Sequence, residues 1–323
     1  MLKRKDGTPA INPRWLSVGI AVFYGILARI AFGLGANNGL VTTLSWGFIT
    51  LVPLAIGALS VFFSPLEKRY AWSDAIKVSV ISSLIFLCLA LIFAFELFIC
   101  ILMAAPFFII VAGIGGLLMC WLLRQVNRNY SVLLILLILP YLVSPLENRF
   151  IPPNDIRTVD TQILINASAE TVWQNIIRVP EITAQEQRFD FFHLAGIPRP
   201  VEATLLTEGV GGIRQGSFDN GLMFIETITE WQPMASISFN IRTEGGANVP
   251  APFNEIGGRF FEVLDANYTL EVVGENQVLL HLSSRHRLST NFNFYGGIWT
   301  DWMLRDFQDY VLGIVKARCE GEQ

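Results

Sequence analysis

The sequence predicts two unlike parts: an α-helical transmembrane bundle, then an α+β domain in which a curved antiparallel sheet surrounds a long C-terminal helix. Hydrophobic residues make up 52% of the 323 residues and charged residues 15%, below the roughly 25% of an average globular protein. The apolar excess is concentrated in residues 15–146. After residue 157, short alternating runs of apolar and polar residues, separated by turn signals, indicate strands.

The charge is divided between the same two parts. Residues 1–148 carry 10 Lys/Arg and 5 Asp/Glu, whereas residues 149–323 carry 13 Lys/Arg and 22 Asp/Glu. An acidic domain is a poor nucleic-acid binder, because neutralising phosphates requires clustered basic residues. We therefore expect no nucleic-acid partner, while the apolar residues 15–146 predict the lipid bilayer as a partner.

Five apolar segments are long enough to cross a bilayer, which takes about 20 residues. They comprise residues 15–34, 41–63, 76–95, 106–123 and 129–146. The connector before the fourth segment is also apolar and favours an interfacial or re-entrant segment, because Pro106 is typical of the first turn of a new helix. Gly113, Gly115 and Gly116 predict close contact between the fourth segment and a neighbouring helix.

The basic residues of the short loops predict the orientation. They precede the first segment and lie between the second and third and between the fourth and fifth, while the alternate loops have none. Basic loops remain on the cytoplasmic side. We expect a multi-pass protein of a bacterial inner membrane with a cytoplasmic N-terminus and an extracytoplasmic C-terminal domain. If the fifth segment does not cross, the domain lies in the cytoplasm.

Two ionisable residues are predicted at membrane depth. Arg29 lies in the first segment and Glu96 near the end of the third. Such residues are costly in lipid and usually pair or face a cavity. One hypothesis is an Arg29–Glu96 ion pair. The alternative is that Arg29 extends to the interface while Glu96 lies among the headgroups.

A linker over residues 147–156 contains two prolines, which make it semi-rigid, and a domain over residues 157–323 follows. The domain opens with a strand, the helix-capping residue Ser168 and a short helix. Six strands and a closing helix are predicted over residues 201–207, 213–218, 222–231, 235–242, 259–273, 277–288 and 298–318. The closing helix carries a broad apolar stripe, which implies a large apolar partner.

Four stretches resemble a known superfamily. They are ILINASAETVWQNI at 163–176, GIRQGSF at 212–218, FIETITEWQP at 224–233 and YGGIWTDWMLRDFQDYVLGIVKARCE at 295–320. Together with the order of the elements, they resemble the START-like (Bet v 1-like, SRPBCC) superfamily and its polyketide cyclase/dehydrase-like branch. The resemblance implies a helix-grip fold. It implies no single function, because the members include lipid carriers, hormone receptors and cyclases and share no catalytic motif.

The sequence offers no cofactor or metal motif and no catalytic residue that we can assign. His281 and His286 are five apart on one predicted strand, so they point to opposite faces and cannot share a metal ion. The candidates for lining a ligand cavity are Arg214, Glu226, His286 and Trp302.

The predicted strand at 222–231 leaves the position of Glu226 open. Glu226 shares a face with Leu222 and Ile228. Either that face is internal and Glu226 is buried beside a partner such as Arg214, or the opposite face, with Met223, forms the core. A buried carboxylate requires pairing.

These observations favour a membrane protein whose START-like domain binds a hydrophobic ligand, lipid or lipid-like, at the membrane surface. Two alternatives stay open. One is a membrane-anchored cyclase/dehydrase-like enzyme acting on an aromatic or polyketide-like substrate. The other is a structural or sensory membrane protein whose domain binds a protein and has no open cavity.

Overall fold

The computed structural model divides the chain into two compact units, residues 1–151 and 152–323. It describes residues 13–36, 45–65, 71–93, 98–125, 130–147, 149–150, 153–187, 197–245 and 256–321.

The first unit is helical in all its long described segments. A π-helical turn, Gly47–Leu51, leads into α2, and the helices are α1 Pro13–Ala36, α2 Val52–Phe62, α3 Trp72–Ile92, α4 Phe98–Gln125 and α5 Tyr130–Glu147. By length and composition, α1, α3, α4 and α5 could each cross a membrane, whereas Gly47–Phe62 is a shorter apolar helix. The first residues of the second predicted span, 41–44, lie outside the described residues, so the count of five spans stays a prediction.

Helix α4 differs from its prediction at the N-terminal end. It begins at Phe98, and Pro106 lies inside it. The prediction that Pro106 opens a new helix after a non-spanning connector is therefore wrong. A proline removes only one backbone donor, and apolar helices tolerate this loss where neighbouring groups satisfy the freed carbonyl.

Glycines bring the helices of the first unit close together. A Cβ at Gly115 would overlap the backbone of Leu54 in α2, and one at Gly116 would overlap the side chain of Ser79 in α3. The predicted close approach is thus confirmed at Gly115 and Gly116. It is wrong at Gly113, where a Cβ would meet nothing within 4 Å.

The predicted Arg29–Glu96 pair cannot be followed, because Glu96 lies outside the described residues. Arg29 is half-buried in α1, and its guanidinium lies over Gly33, one turn further along the helix. The pair stays a prediction.

The described residues of the second unit form a seven-stranded sheet and a long closing helix. Its elements are β1 Asp155–Ile165, α6 Ala169–Ile177, β2 Pro200–Leu205, β3 Ile213–Phe218, β4 Leu222–Gln232, β5 Ser236–Gly245, β6 Phe261–Gly274, β7 Gln277–Leu288 and α7 Asn293–Glu320. The strand order is β1-β7-β6-β5-β4-β3-β2, and each neighbouring pair is antiparallel. This is the predicted helix-grip architecture.

Local sequence explains the joins and the curvature. The side chain of Ser168 accepts a hydrogen bond from the Thr171 N–H at 3.2 Å, so the predicted helix cap is confirmed. Between β3 and β4, Asn220 adopts a positive φ of 61°, which Asn tolerates better than most residues. Irregularities in the register of β4 and β6 increase the local twist of the strands and help the sheet curl.

The core of the second unit lies between the concave face of the sheet and the helices α6 and α7. Its buried members include Trp173, Ile237, Phe239, Leu280, Leu312 and Val315. Strand β1 already begins at Asp155, so the end of the predicted 147–156 linker belongs to the sheet.

Candidate functional site

Arg214 and Glu226 form an ion pair on the inner face of the sheet. They are directly opposite each other in the β3–β4 pairing, and Arg214 Nη1 donates to Glu226 Oε2. Their relative exposures are 5% and 8%. Of the two arrangements open from the sequence, the structure has the one in which the face of Glu226 is internal and Arg214 is its partner.

Aromatic rings surround this pair. The Arg214 guanidinium carbon lies 5.3 Å from the centre of the Phe239 ring, close enough for a cation–π contact. The Phe239 and Tyr268 rings meet edge to face, with their centres 6.5 Å apart. Arg214 and Glu226 are therefore buried charged groups with aromatic rings as neighbours.

One buried polar atom of the pair has no hydrogen-bond partner in the part of the chain that the structure describes. Among the described residues, nothing accepts a hydrogen bond from Arg214 Nε, which is buried. A buried donor without an acceptor costs about 1–3 kcal/mol. An oxygen atom from a bound molecule would satisfy it.

The charges of the pair affect the neighbouring phenol. Burial, opposed by the nearby Arg214 and reinforced by Glu226, raises the pKa of Tyr268 to about 12, so Tyr268 stays protonated at neutral pH. Burial is the largest single effect on the pKa of Arg214 and lowers it, but the charge and hydrogen bond of Glu226 together with the nearby Tyr268 raise the pKa above its usual value. Arg214 thus remains a cation and a hydrogen-bond donor.

His286 belongs to a second polar cluster, where β1 and β7 meet α7. It is fully buried, and its Nε2 lies 3.1 Å from Thr300 Oγ1 and 3.6 Å from Asp301 Oδ1. Arg157 Nε donates to the same Asp301 oxygen at 2.8 Å, and Arg157 Nη1 donates to Asp155 at 3.0 Å. Asp301 therefore connects a buried imidazole to a guanidinium.

Burial controls the protonation of this histidine. Desolvation lowers the pKa of His286, with Asp301 and Asp155 opposing the shift and Arg157 adding to it. Among the described residues, His286 Nδ1 is buried without a hydrogen-bond partner. Because Thr300 Oγ1 donates to Gly297 O at 3.2 Å, it accepts from His286 Nε2, and Nδ1 then carries the lone pair of a neutral imidazole.

Gln308 is a buried polar residue that the sequence reasoning missed. Its Nε2 donates to Val159 O in β1 at 3.1 Å and to Ser284 Oγ in β7 at 2.8 Å. The signal was available, since Gln308 lies midway between Leu304 and Leu312 in the apolar stripe of α7. A polar residue there requires internal partners.

Trp302 differs from the other three candidates because it is exposed. Its residue exposure is 47%, and its ring packs against Trp299 with the centres 5.7 Å apart. Of the four candidates, the structure therefore pairs Arg214 with Glu226, places His286 in a separate buried network and leaves Trp302 at the surface. Contact of any of them with a ligand stays a prediction.

The described residues contain no group of three or more His, Cys, Asp or Glu that could hold a metal ion. What the interior offers is a charged donor, a protonated phenol and aromatic faces. Such a set can bind and orient an amphipathic molecule.

The second unit thus belongs to the helix-grip class of folds. No protein-family model matches the chain, and no curated protein matches it. Among solved structures, it is similar to a START superfamily protein from Mycobacterium smegmatis, with 12% identity over 51% of this chain and 99% of that one and a TM-score of 0.36.

Two enzymes of known structure are similar in the same region. The Zhui aromatase/cyclase from a Streptomyces species has 13% identity over 51% of this chain and 96% of that one, with a TM-score of 0.32. A norcoclaurine synthase point mutant from Thalictrum flavum has 13% identity over 50% of this chain and 96% of that one, with a TM-score of 0.31. At such identities and TM-scores these likenesses transfer neither a ligand nor an activity to this chain.

Proposed function

We propose that this chain is an integral membrane protein whose helix-grip domain binds a hydrophobic ligand, lipid or lipid-like, with the polar end of the ligand at the Arg214–Glu226 pair. The observation that carries the proposal is the buried ion pair among aromatic side chains, with Arg214 Nε lacking an acceptor.

The energetics of the pair support a role in binding. Removing two charges from water costs several kcal/mol per ion, and apolar residues of similar size often stabilise such a site equally well or better. Stability alone is therefore a weak reason for this pair. A ligand with an apolar body and one acceptor oxygen, such as a fatty acyl or other carbonyl-bearing lipid, would fill the aromatic surroundings and accept from Arg214 Nε.

The test is the ligand content of the purified full-length protein, measured by solvent extraction and mass spectrometry. The double variant Arg214→Met/Glu226→Met removes both charges together. A matched control is Asp265→Asn/Arg285→Gln, which removes an ion pair whose Arg285 side chain is exposed. We expect wild type and control to carry the same lipid and the double variant to retain less than about a tenth of it. Equal amounts in all three proteins would contradict the proposal.

The same extraction discriminates the alternatives. A bound molecule recovered in a chemically altered form after incubation with the protein would favour a cyclase-like enzyme. A wild-type protein that carries no small molecule, and takes up none from added lipid, would favour a domain that binds a protein partner.

We propose, further, that five segments cross a bacterial inner membrane, with the N-terminus in the cytoplasm and the C-terminal domain outside. The distribution of Lys and Arg over the short loops supports this orientation. A reporter enzyme that is active only outside the cytoplasm, fused after Gln323, should be active, and one fused within residues 66–70 should not. An inactive reporter at Gln323 would place the domain in the cytoplasm.

A further inference from the structure

We infer that the exposed side of the first turns of α7 docks onto the lipid bilayer surface. Three large apolar residues, Phe294, Ile298 and Trp302, are spaced four apart and therefore form one ridge along the helix. Their exposures are 67%, 65% and 47%. A ridge of this kind on an otherwise acidic domain indicates an interaction surface. We call these three residues the α7 ridge.

The charge around the α7 ridge favours lipid over a charged partner. Residues 288–300 contain no Asp, Glu, Lys or Arg, although residues 149–323 contain 35 of them. Trp302, the third residue of the ridge, lies just beyond this stretch. Asp301, which precedes it, is paired with Arg157, and Arg305 and Asp306 follow one turn later in α7. An uncharged stretch with exposed aromatic and aliphatic side chains, such as the one that contains Phe294 and Ile298, is typical of segments that lie in the interface of a membrane.

The length of chain between α5 and β1 sets an upper limit on the distance from the end of α5 to the start of α7. At the start of α7, Asn293 Nδ2 donates to Pro153 O at 2.7 Å, and the neighbouring Ser289 Oγ donates to Asn154 Oδ1 at 2.6 Å. Helix α5 ends at Glu147. Six residues extend at most about 20 Å, so the start of α7 cannot lie far from the bilayer if α5 spans it. The inference rests on this membrane location in the proposed function.

These observations select the bilayer as the occupant, with apolar insertion and not charge as the source of binding. Arg305, one turn beyond Trp302, is a basic neighbour of the ridge, but Asp301, Asp306 and Asp309 around it leave a net negative charge that would not select anionic headgroups. Replacing a third of the phosphatidylcholine in a bilayer by phosphatidylglycerol should therefore change docking less than twofold.

The test uses the full-length protein reconstituted into bilayers of deuterated phosphatidylcholine. A photo-cross-linking benzoylphenylalanine is incorporated in place of Ile298 and, as a matched control, in place of Val272. Val272 is equally apolar and exposed but lies at the far end of the β6–β7 hairpin from Leu288. We expect deuterated lipid adducts at position 298 to exceed those at position 272 at least fivefold.

Three results would overturn the inference. Equal adduct yields at the two positions would show that the ridge is not at the bilayer. Chain-to-chain adducts at position 298 would identify a second copy as the occupant. A chain that does not enter bilayers would contradict the proposed membrane location together with the docking.

The isotope separates this test from that of the proposed function. A ligand carried through purification is not deuterated, so it cannot produce the expected adduct. An Arg214→Met/Glu226→Met protein that loses its ligand should still give the deuterated adduct at position 298. Loss of ligand binding and loss of docking are thus distinguishable outcomes.

Discussion

In the Arg214–Glu226 pair, each buried charge is stabilised by the opposite charge of its partner. We predict that Arg214→Met alone lowers the free energy of unfolding by about 3–5 kcal/mol, because it leaves Glu226 buried and unpaired. The double variant Arg214→Met/Glu226→Met should recover most of this loss, since no charge remains inside. Denaturant unfolding of the purified protein, followed by near-UV circular dichroism, measures the difference.

A control for that comparison is the pair of Arg285 and Asp265, whose Arg285 side chain is exposed. Ion pairs exposed to water contribute about 0–1 kcal/mol, so Arg285→Gln should have little effect. If Arg214→Met lowered the free energy of unfolding as little as Arg285→Gln does, Glu226 would not be an unpaired buried charge in the variant.

His286 predicts a pH dependence of stability. Burial lowers its folded-state pKa below the value of about 6.5 in an unfolded chain. As the pH decreases, the unfolded chain therefore binds this proton before the folded chain does. The contribution of His286 to the free energy of unfolding is complete above about pH 6.5 and decreases as the pH falls below that value. His286→Gln should flatten this part of the stability profile between about pH 5 and 7, whereas His281→Gln, at a more exposed site, should preserve the slope. An unchanged slope in His286→Gln would rule out this histidine as the source.

The sequence was least informative where two apolar faces compete. In β4, Leu222 and Ile228 on one face and Met223 and Ile225 on the other are equally apolar, so alternation alone could not decide whether Glu226 is buried. The deciding contact is with Arg214 on the adjacent strand. By contrast, Ser168 acts within its own helix turn, and its role could be predicted from local sequence.

At the scale of the elements, the glycines of α4 provide a matched pair of substitutions. We predict that Gly115→Ala strongly destabilises the first unit, because its Cβ would overlap the backbone of Leu54 in α2, which cannot rotate away as a side chain can. Gly113→Ala should be neutral or slightly stabilising, since its Cβ would meet nothing within 4 Å and Ala favours helices. Thermal unfolding in detergent compares the two, and equal melting temperatures would contradict the close α2–α4 contact.

The sequence prediction of where α7 begins was wrong, for a reason that the structure shows. The sequence predicts the helix from Ile298, whereas it begins at Asn293 and includes Gly296 and Gly297. Glycines disfavour helices, but a Cβ at Gly297 would collide with the guanidinium of Arg157. Because Gly297 has no side chain, there is room for the contact between Arg157 and Asp301. This is a tertiary contact, so the helix propensities of the local sequence could not predict it.

At the scale of the whole molecule, each unit has its own apolar core. We predict that a fragment from Pro153 to Gln323 folds cooperatively without the helical unit, as a single near-UV thermal transition would show. A shorter fragment starting at Ala169 should not, because it lacks β1 and with it the buried Val159 and Ile165. A longer fragment without a cooperative transition would contradict the independence of the two units.

The strand order also has a consequence for synthesis. Among the described strands, β1 pairs only with β7, and Asp155 lies opposite Leu288. At about 5–20 residues per second, the ribosome needs roughly 7–27 s after β1 to complete its partner. The domain therefore cannot fold progressively from its N-terminal end as it emerges. For that interval β1 has no strand partner, and the second unit reaches its native topology only once the final third of the chain has been made.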